Sequence, residues 1–129
     1  MNLEPLVLWF NKLGMGDVDT VGGKNASLGE MISSLKNKGV QVPDGFATTA
    51  DAYRQFISYQ GLNDRIQQSL DALDVEDVNA LAKTGAEIRQ AILDTPFPSD
   101  LDEAIEAAFA DLQQGNSQLS VAVRSSATA

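Results

Sequence analysis

The chain of 129 residues contains neither cysteine nor histidine, and each absence removes a class of chemistry. Without thiols there is no disulfide framework, no thiolate nucleophile and no cysteine-ligated metal. Without imidazole there is no histidine base, no histidine-bound zinc and no phosphohistidine. Catalysis confined to these residues would have to use carboxylates, lysine, arginine, hydroxyls and backbone amides. Aromatic residues make up only 6%, and Trp9, Tyr53 and the phenylalanines are expected in a core rather than as a base-stacking platform. The longest strongly apolar run is Pro5 to Phe10, too short to cross a bilayer, and Met1 to Trp9 lacks the basic start of a secretory signal. A cytoplasmic location with no membrane partner is the expectation.

What is present has globular proportions, with 43% apolar and 21% charged residues. The length suits one domain that buries roughly two thirds of the surface its unfolded chain would expose. A formal charge of −9 argues against nucleic acid as a partner. That charge is concentrated: between Asp71 and Asp111 eleven acidic residues face only Lys83 and Arg89, whereas the rest of the chain is balanced at seven against seven. Solvated helices account for such a segment, and the flanking parts remain able to accept an anion.

Periodicity predicts an α+β fold, with short strands from both chain ends and a helical insertion, acidic over about 62–114. Leu6 to Phe10 reads as a buried strand. Leu28, Met31, Ile32 and Leu35 mark one face of a helix that starts after Gly22-Gly23 and stops at Gly39. Val40 to Thr48 reads as extended around a Pro43-Asp44-Gly45 turn, in which Gly45 accepts unusual dihedrals. Thr48 or Thr49 caps a helix reaching about Tyr59, with Tyr53, Phe56 and Ile57 inward, and Gly61 breaks it. Leu62, Ile66, Leu70 and Leu73 form a further stripe. Asp74 is the expected cap of a helix whose inner stripe is Val78, Leu81, Ala82, Gly85, Ile88 and Ile92, ending at Pro96. Ser99 and Asp102 open the next, with Leu101, Ile105, Ala108, Phe109 and Leu112 inward. The alternation of Leu119, Val121 and Val123 with Ser120, Ala122 and Arg124 predicts a strand from which Arg124 projects away from the apolar face.

Two constellations suit phosphate chemistry. In Val21-Gly22-Gly23-Lys24-Asn25-Ala26-Ser27, paired glycines at a helix entrance let backbone N–H groups approach an anion, the helix N-terminus adds about half a positive charge, and Lys24 supplies a mobile cation. The G-x-x-x-x-G-K-[ST] spacing of a P-loop is absent. A competing local reading has the glycines as a tight turn and Ser27 with Glu30 as a capping box that starts the helix later. In Val123-Arg124-Ser125-Ser126, an arginine beside two hydroxyls offers a bidentate fork for phosphate; its alternative is a structural salt bridge. The carboxylates show no spacing that assigns an acid/base pair.

Together, Leu13-Gly14, the block from Val21 to Met31, the block from Val42 to Tyr53 and the block from Ala122 to Ala129 resemble the N-terminus of the phosphoenolpyruvate synthases, within the pyruvate phosphate dikinase family. The resemblance covers nearly the whole chain; in the acidic segment it rests on pattern and on Asp94-Thr95-Pro96-Phe97. Pyruvate phosphate dikinases and rifampicin phosphotransferases usually read Gly-Gly-Lys-Gly-Ala-Asn-Leu, so Asn25 to Met31 favours the synthases.

The resemblance implies an ATP-grasp-type nucleotide-binding domain in a phosphotransferase that converts ATP, pyruvate and water, with Mg²⁺, to phosphoenolpyruvate, AMP and phosphate. A histidine on a separate swivelling domain would carry the phosphoryl group to pyruvate on another domain. Lys24 and Arg124 match the family's phosphate-contacting residues, with Gly22, Gly23, Ser125 and Ser126 as secondary candidates. Residues 1–129 would form a single partial domain, inactive alone, with the phosphohistidine, metal ligands and adenine contacts beyond Ala129. The alternatives are a related dikinase or antibiotic phosphotransferase, or a small stand-alone acidic interaction protein.

Overall fold

The structure is a computed structural model that describes residues 5–40 and 43–128. Gln41 and Val42 of the expected extended segment, Ala129 of the last motif block and the first four residues lie outside the described residues. The architecture is α+β. Contacts divide it into two compact units, one drawn from the chain up to Tyr53 together with the chain from Ser99 onward, the other from Arg54–Pro98.

In the first unit, β1 (Val7–Trp9) pairs antiparallel with β2 (Phe46–Thr48), placing Val7 opposite Thr48 and Trp9 opposite Phe46. The opposed rings of Trp9 and Phe46 lie 5.6 Å apart and tilted, a favourable cross-strand aromatic pair. The pairing runs past β2, where the Thr49 amide donates to the Leu6 carbonyl at 3.1 Å. The buried Thr49 hydroxyl donates to the Pro5 carbonyl at 2.8 Å and accepts from the Ala52 amide at 3.2 Å. Thr49 is thus the cap of α3 (Ala50–Ile57) and is itself tied to the strand. Gly45 lacks the positive φ expected of it; glycine is needed there because a Cβ would meet the Phe10 ring at 2.6 Å.

Beyond β1 the chain makes two single-turn 3₁₀ segments, Phe10–Lys12 and Met15–Asp17, then the short helix α1 (Val18–Val21) and the 14-residue helix α2 (Gly23–Lys36). The turn at Met15 is closed by Asp17, whose carboxylate accepts from the Gly14 amide at 2.9 Å while its own amide donates to the Gly14 carbonyl at 2.9 Å. Leu13 and Val21, with Ala47 of β2, form the buried core, covered by Leu8 and Phe10. α2 buries Ala26, Gly29 and Ile32, so the inward face is rotated from the expected one and Met31 is left 42% exposed. The rotation follows from Gly29: a Cβ there would stand 2.5 Å from both Cβ and the carbonyl oxygen of Leu13, so only glycine lets the helix approach this closely. Gly29→Ala is expected to destabilise the protein by about 1–3 kcal/mol through overpacking, seen as a lower thermal midpoint. α2 ends as expected at Gly39, whose φ is +75°, with the Val40 amide returning to the Leu35 carbonyl at 3.1 Å.

α6 (Ser99–Gln113) returns to this unit and packs against β1. It buries Leu101 and Ala108 and half-buries Ile105, Phe109 and Leu112, the face its periodicity predicts. The expected strand at Leu119–Arg124 does not form among the described residues; Val121 is 44% and Val123 91% exposed. Alternation prepares a segment for pairing, but a ladder needs a neighbour with free N–H and C=O groups, and among the described residues no strand pairs with it. The prediction that both chain ends supply strands therefore holds only for β1, and Arg124 is exposed and outside any strand.

In the second unit, Gln60 and Gly61 adopt positive φ, 54° and 72°, and end the preceding helical run. α4 (Leu62–Asp71) then packs against α5 (Val78–Asp94), and Phe56 meets Phe97 edge to face at 5.4 Å. Tyr53, one position along from the buried Ala52, is 61% exposed rather than inward. α5 is capped by Asp77, not Asp74: the Asp77 carboxylate accepts from the amides of Asn79 and Ala80, both at 3.1 Å, whereas Asp74 accepts from the Glu76 amide at 3.0 Å inside the preceding turn. The covered side of α5 is Ala80, Thr84, Gly85, Ile88 and Ala91, leaving Val78, Leu81, Ala82 and Ile92 of the expected inner stripe exposed. All eleven acidic residues between Asp71 and Asp111 are exposed, as solvated helices require.

Candidate functional site

The junction between α1 and α2 is built on Gly22. Its φ of 88° and ψ of 162° place it in a region open essentially to glycine alone. The Gly22 amide still belongs to α1, donating to the Val18 carbonyl at 2.8 Å, while its carbonyl already belongs to α2, accepting from the Ala26 amide at 3.0 Å. One residue thus ends one helix and begins the next in a new direction. The expected competitor, a later helix start capped by Ser27 and Glu30, is not what forms. Glu30 instead accepts from the Met15 amide at 3.1 Å, and the Ser27 hydroxyl points at the Met15 sulfur, 3.8 Å away.

The segment Ser125–Ala127 lies along this junction. The Ala127 carbonyl accepts from the Gly23 amide at 3.3 Å, and Ser126 fills the space a Gly22 side chain would occupy: an added Cβ would overlap Ser126 Oγ and stand 2.8 Å from the Ala127 oxygen. The two glycines therefore differ. Gly22 is glycine for its φ and for the close approach of Ser126. A Cβ on Gly23 would meet nothing within 4 Å, and Gly23 faces open space instead. That space is a cleft of about 460 Å³ lined by Gly23, Lys24, Ser125, Ser126 and Ala127.

Because Gly22 has no side chain, α2 has no side-chain cap. Of its first amides, that of Gly23 is taken by Ala127, and those of Lys24 and Asn25 have no acceptor among the described residues. Unpaired amides at the start of a long helix carry its positive partial charge. The exposed Lys24 adds a full charge beside them and stands in no ion pair among the described residues. Among the described residues no carboxylate lines the cleft. The arrangement of a cation, two free N–H donors and two serine residues suits an anion with several oxygens, as a phosphate chain has.

Of the residues marked out by sequence, the structure brings together Gly22, Gly23, Lys24, Ser125 and Ser126 across about a hundred positions of chain. Arg124 is the immediate neighbour of Ser125 but does not line the cleft; it is exposed, and the salt bridge that was its alternative is not made among the described residues. Sequence reasoning placed Ala127 only within the weaker candidate segment after Arg124 and missed its role, which is played by its backbone carbonyl and so leaves no mark on residue type. It also missed the side chain of Asn25, whose amide nitrogen donates to the Val21 carbonyl at 2.7 Å. The available signal was an asparagine four residues after a carbonyl stranded by glycine.

Residues 18–129 match the family model described as pyruvate phosphate dikinase, AMP/ATP-binding domain. The chain is 61% identical over 126 residues to a phosphoenolpyruvate synthase of Escherichia coli (strain K12), covering 98% of this chain and 16% of that enzyme. It is 65% identical over 123 residues to the phosphoenolpyruvate synthase of Pseudomonas aeruginosa (strain UCBPP-PA14), with 95% and 16% covered, and 44% identical over 128 residues to that of Aquifex aeolicus (strain VF5), with 98% and 15% covered. The chain thus spans about a sixth of the length of these relatives.

Proposed function

Since the chain belongs to the pyruvate phosphate dikinase AMP/ATP-binding domain family, we propose that the cleft between the start of α2 and Ser125–Ala127 receives the phosphates of ATP. One observation carries this reading: Lys24, two unpaired helix amides and a segment bearing hydroxyls converge on space that Gly23 leaves open. Lys24 and the amides of Lys24 and Asn25 would neutralise charge on the phosphate oxygens and on the phosphoryl group as it leaves. Arg124, exposed, without an ion pair among the described residues and one residue from the cleft, would reach the same phosphates. Ser125 and Ser126 supply further donors.

The wider reading is that residues 1–129 form one partial domain, of ATP-grasp type, in a longer phosphotransferase. That enzyme converts ATP, pyruvate and water to phosphoenolpyruvate, AMP and phosphate in the cytoplasm, through a phosphohistidine on a swivelling domain. The names of the relatives and the share of their length that the chain covers support it. Mg²⁺ would neutralise phosphate charge when bound. Among the described residues no carboxylate lines the cleft to ligate it.

An acyl-phosphate derivative of ATP, which transfers its acyl group to an amine lying beside the phosphates, tests the placement. Lys24 is expected to be acylated in the longer enzyme, with excess ATP protecting it, as read by peptide mass spectrometry. Labelling that spares Lys24, or that ATP does not suppress, rejects the site.

A further inference from the structure

Asn25 stands where a continuous helix would send its backbone amide to the carbonyl four residues back, on Val21. The turn at Gly22 breaks that bond, and Val21 is buried at 3% exposure, so its carbonyl needs another donor. The Asn25 side chain supplies it at 2.7 Å. A carbonyl oxygen only accepts, which makes the facing atom the amide nitrogen rather than the oxygen. The side chain has replaced the backbone of its own residue. The consequence is that the Asn25 amide is released from Val21 and, like that of Lys24, has no acceptor among the described residues.

We infer that Asn25 is a positioning residue for phosphate binding: its side chain satisfies the Val21 carbonyl so that its backbone amide, with that of Lys24, stays free to bind the phosphates of ATP. This rests on the nucleotide reading of the cleft. Without the side-chain donor, the Val21 carbonyl is satisfied by drawing the amide of residue 25 back into a continuous turn, which removes one phosphate donor and swings Lys24 with it. The hydroxyl of a serine at position 25 can also donate to a carbonyl four residues back and would preserve the arrangement. Aspartate, of the same shape, cannot donate and sets a negative charge against the carbonyl.

The test uses the longer enzyme, with KM for ATP, kcat and thermal midpoint measured for Asn25→Ala, Asn25→Asp and Asn25→Ser, and with Lys24→Ala alongside. The expected result is a KM for ATP raised about tenfold by Asn25→Ala, the size of one lost hydrogen bond, a larger rise for Asn25→Asp, and near-normal KM for Asn25→Ser. An Asn25→Ala enzyme that melts earlier but keeps its KM for ATP overturns the inference and leaves Asn25 a purely structural residue. If Asn25→Ala does not fold, a KM for Asn25→Ser as high as that of Asn25→Asp overturns it equally. Should Lys24→Ala also leave ATP kinetics unchanged, the nucleotide reading itself fails and the inference falls with it; a defect in Lys24→Ala beside a normal Asn25→Ala confines the failure to Asn25.

Discussion

Lys24→Ala in the longer enzyme is expected to slow phosphoryl transfer from ATP by about 10²–10³-fold, the usual cost of removing one preorganised donor from charge that develops in the transition state, with the thermal midpoint unchanged. Stability is spared because Lys24 is exposed and holds no ion pair among the described residues. Function is lost because the other cleft-lining residues, Gly23, Ser125, Ser126 and Ala127, carry no charge. On the proposed function, the readout is the rate at which labelled phosphate passes from ATP to the longer enzyme. Lys24→Arg should recover part of the rate, since charge returns but a planar fork replaces a compact ammonium. Unimpaired labelling in Lys24→Ala would remove Lys24 from the site.

Gly22→Ala should act on the fold first and on the nucleotide through it. Holding alanine at φ 88° and ψ 162° costs about 1–3 kcal/mol, and crowding by Ser126 and the Ala127 carbonyl adds about 1–3 kcal/mol. The side chain escapes by pushing Ser125–Ala127 off the helix entrance, which opens the cleft and breaks the Gly23 to Ala127 bond. Thermal denaturation should show a clear loss, and limited proteolysis should cut near Ser125 sooner than in the parent. Coupling with Ser126→Gly separates the two causes. Removing the Ser126 side chain relieves Oγ and Cβ but neither the backbone strain nor the 2.8 Å approach of the Ala127 oxygen, so the double variant should recover part of the stability and not all. A Gly22→Ala protein as stable as the parent would mean that this junction is not the one described.

How far the fold could be read varied with what each element needs. α6 was legible because its apolar residues fall on one narrow face, and that face meets β1. α5 was legible as a helix but not in orientation: apolar and small residues occupy more than half its circumference, so period alone does not say which side α4 takes. Leu119–Arg124 shows the opposite case, a correct local pattern without a partner to realise it. At the site, Gly22, Gly23 and Lys24 were readable because glycines before a lysine at a helix entrance are a local signal. That Ser125 and Ser126 belong to the same place followed from resemblance, not from spacing.

By itself, then, the amino-acid order determined that the chain carries no thiol or imidazole chemistry, that its net negative charge lies between Asp71 and Asp111, and that a helix follows Gly22-Gly23. These depend on composition and on neighbours within a turn or two. Only the tertiary structure decided which glycine is indispensable and why, that Ser126 fills the space beside Gly22 while Gly23 faces an open cleft, and that the Asn25 side chain stands in for its own backbone. The first two depend on which distant atoms come within a few ångströms, the third on the break that Gly22 makes between Val21 and Asn25. Carbonyls and amides are the same in every residue, so no reading of residue types could have found the Ala127 oxygen or the two free amides beside Lys24.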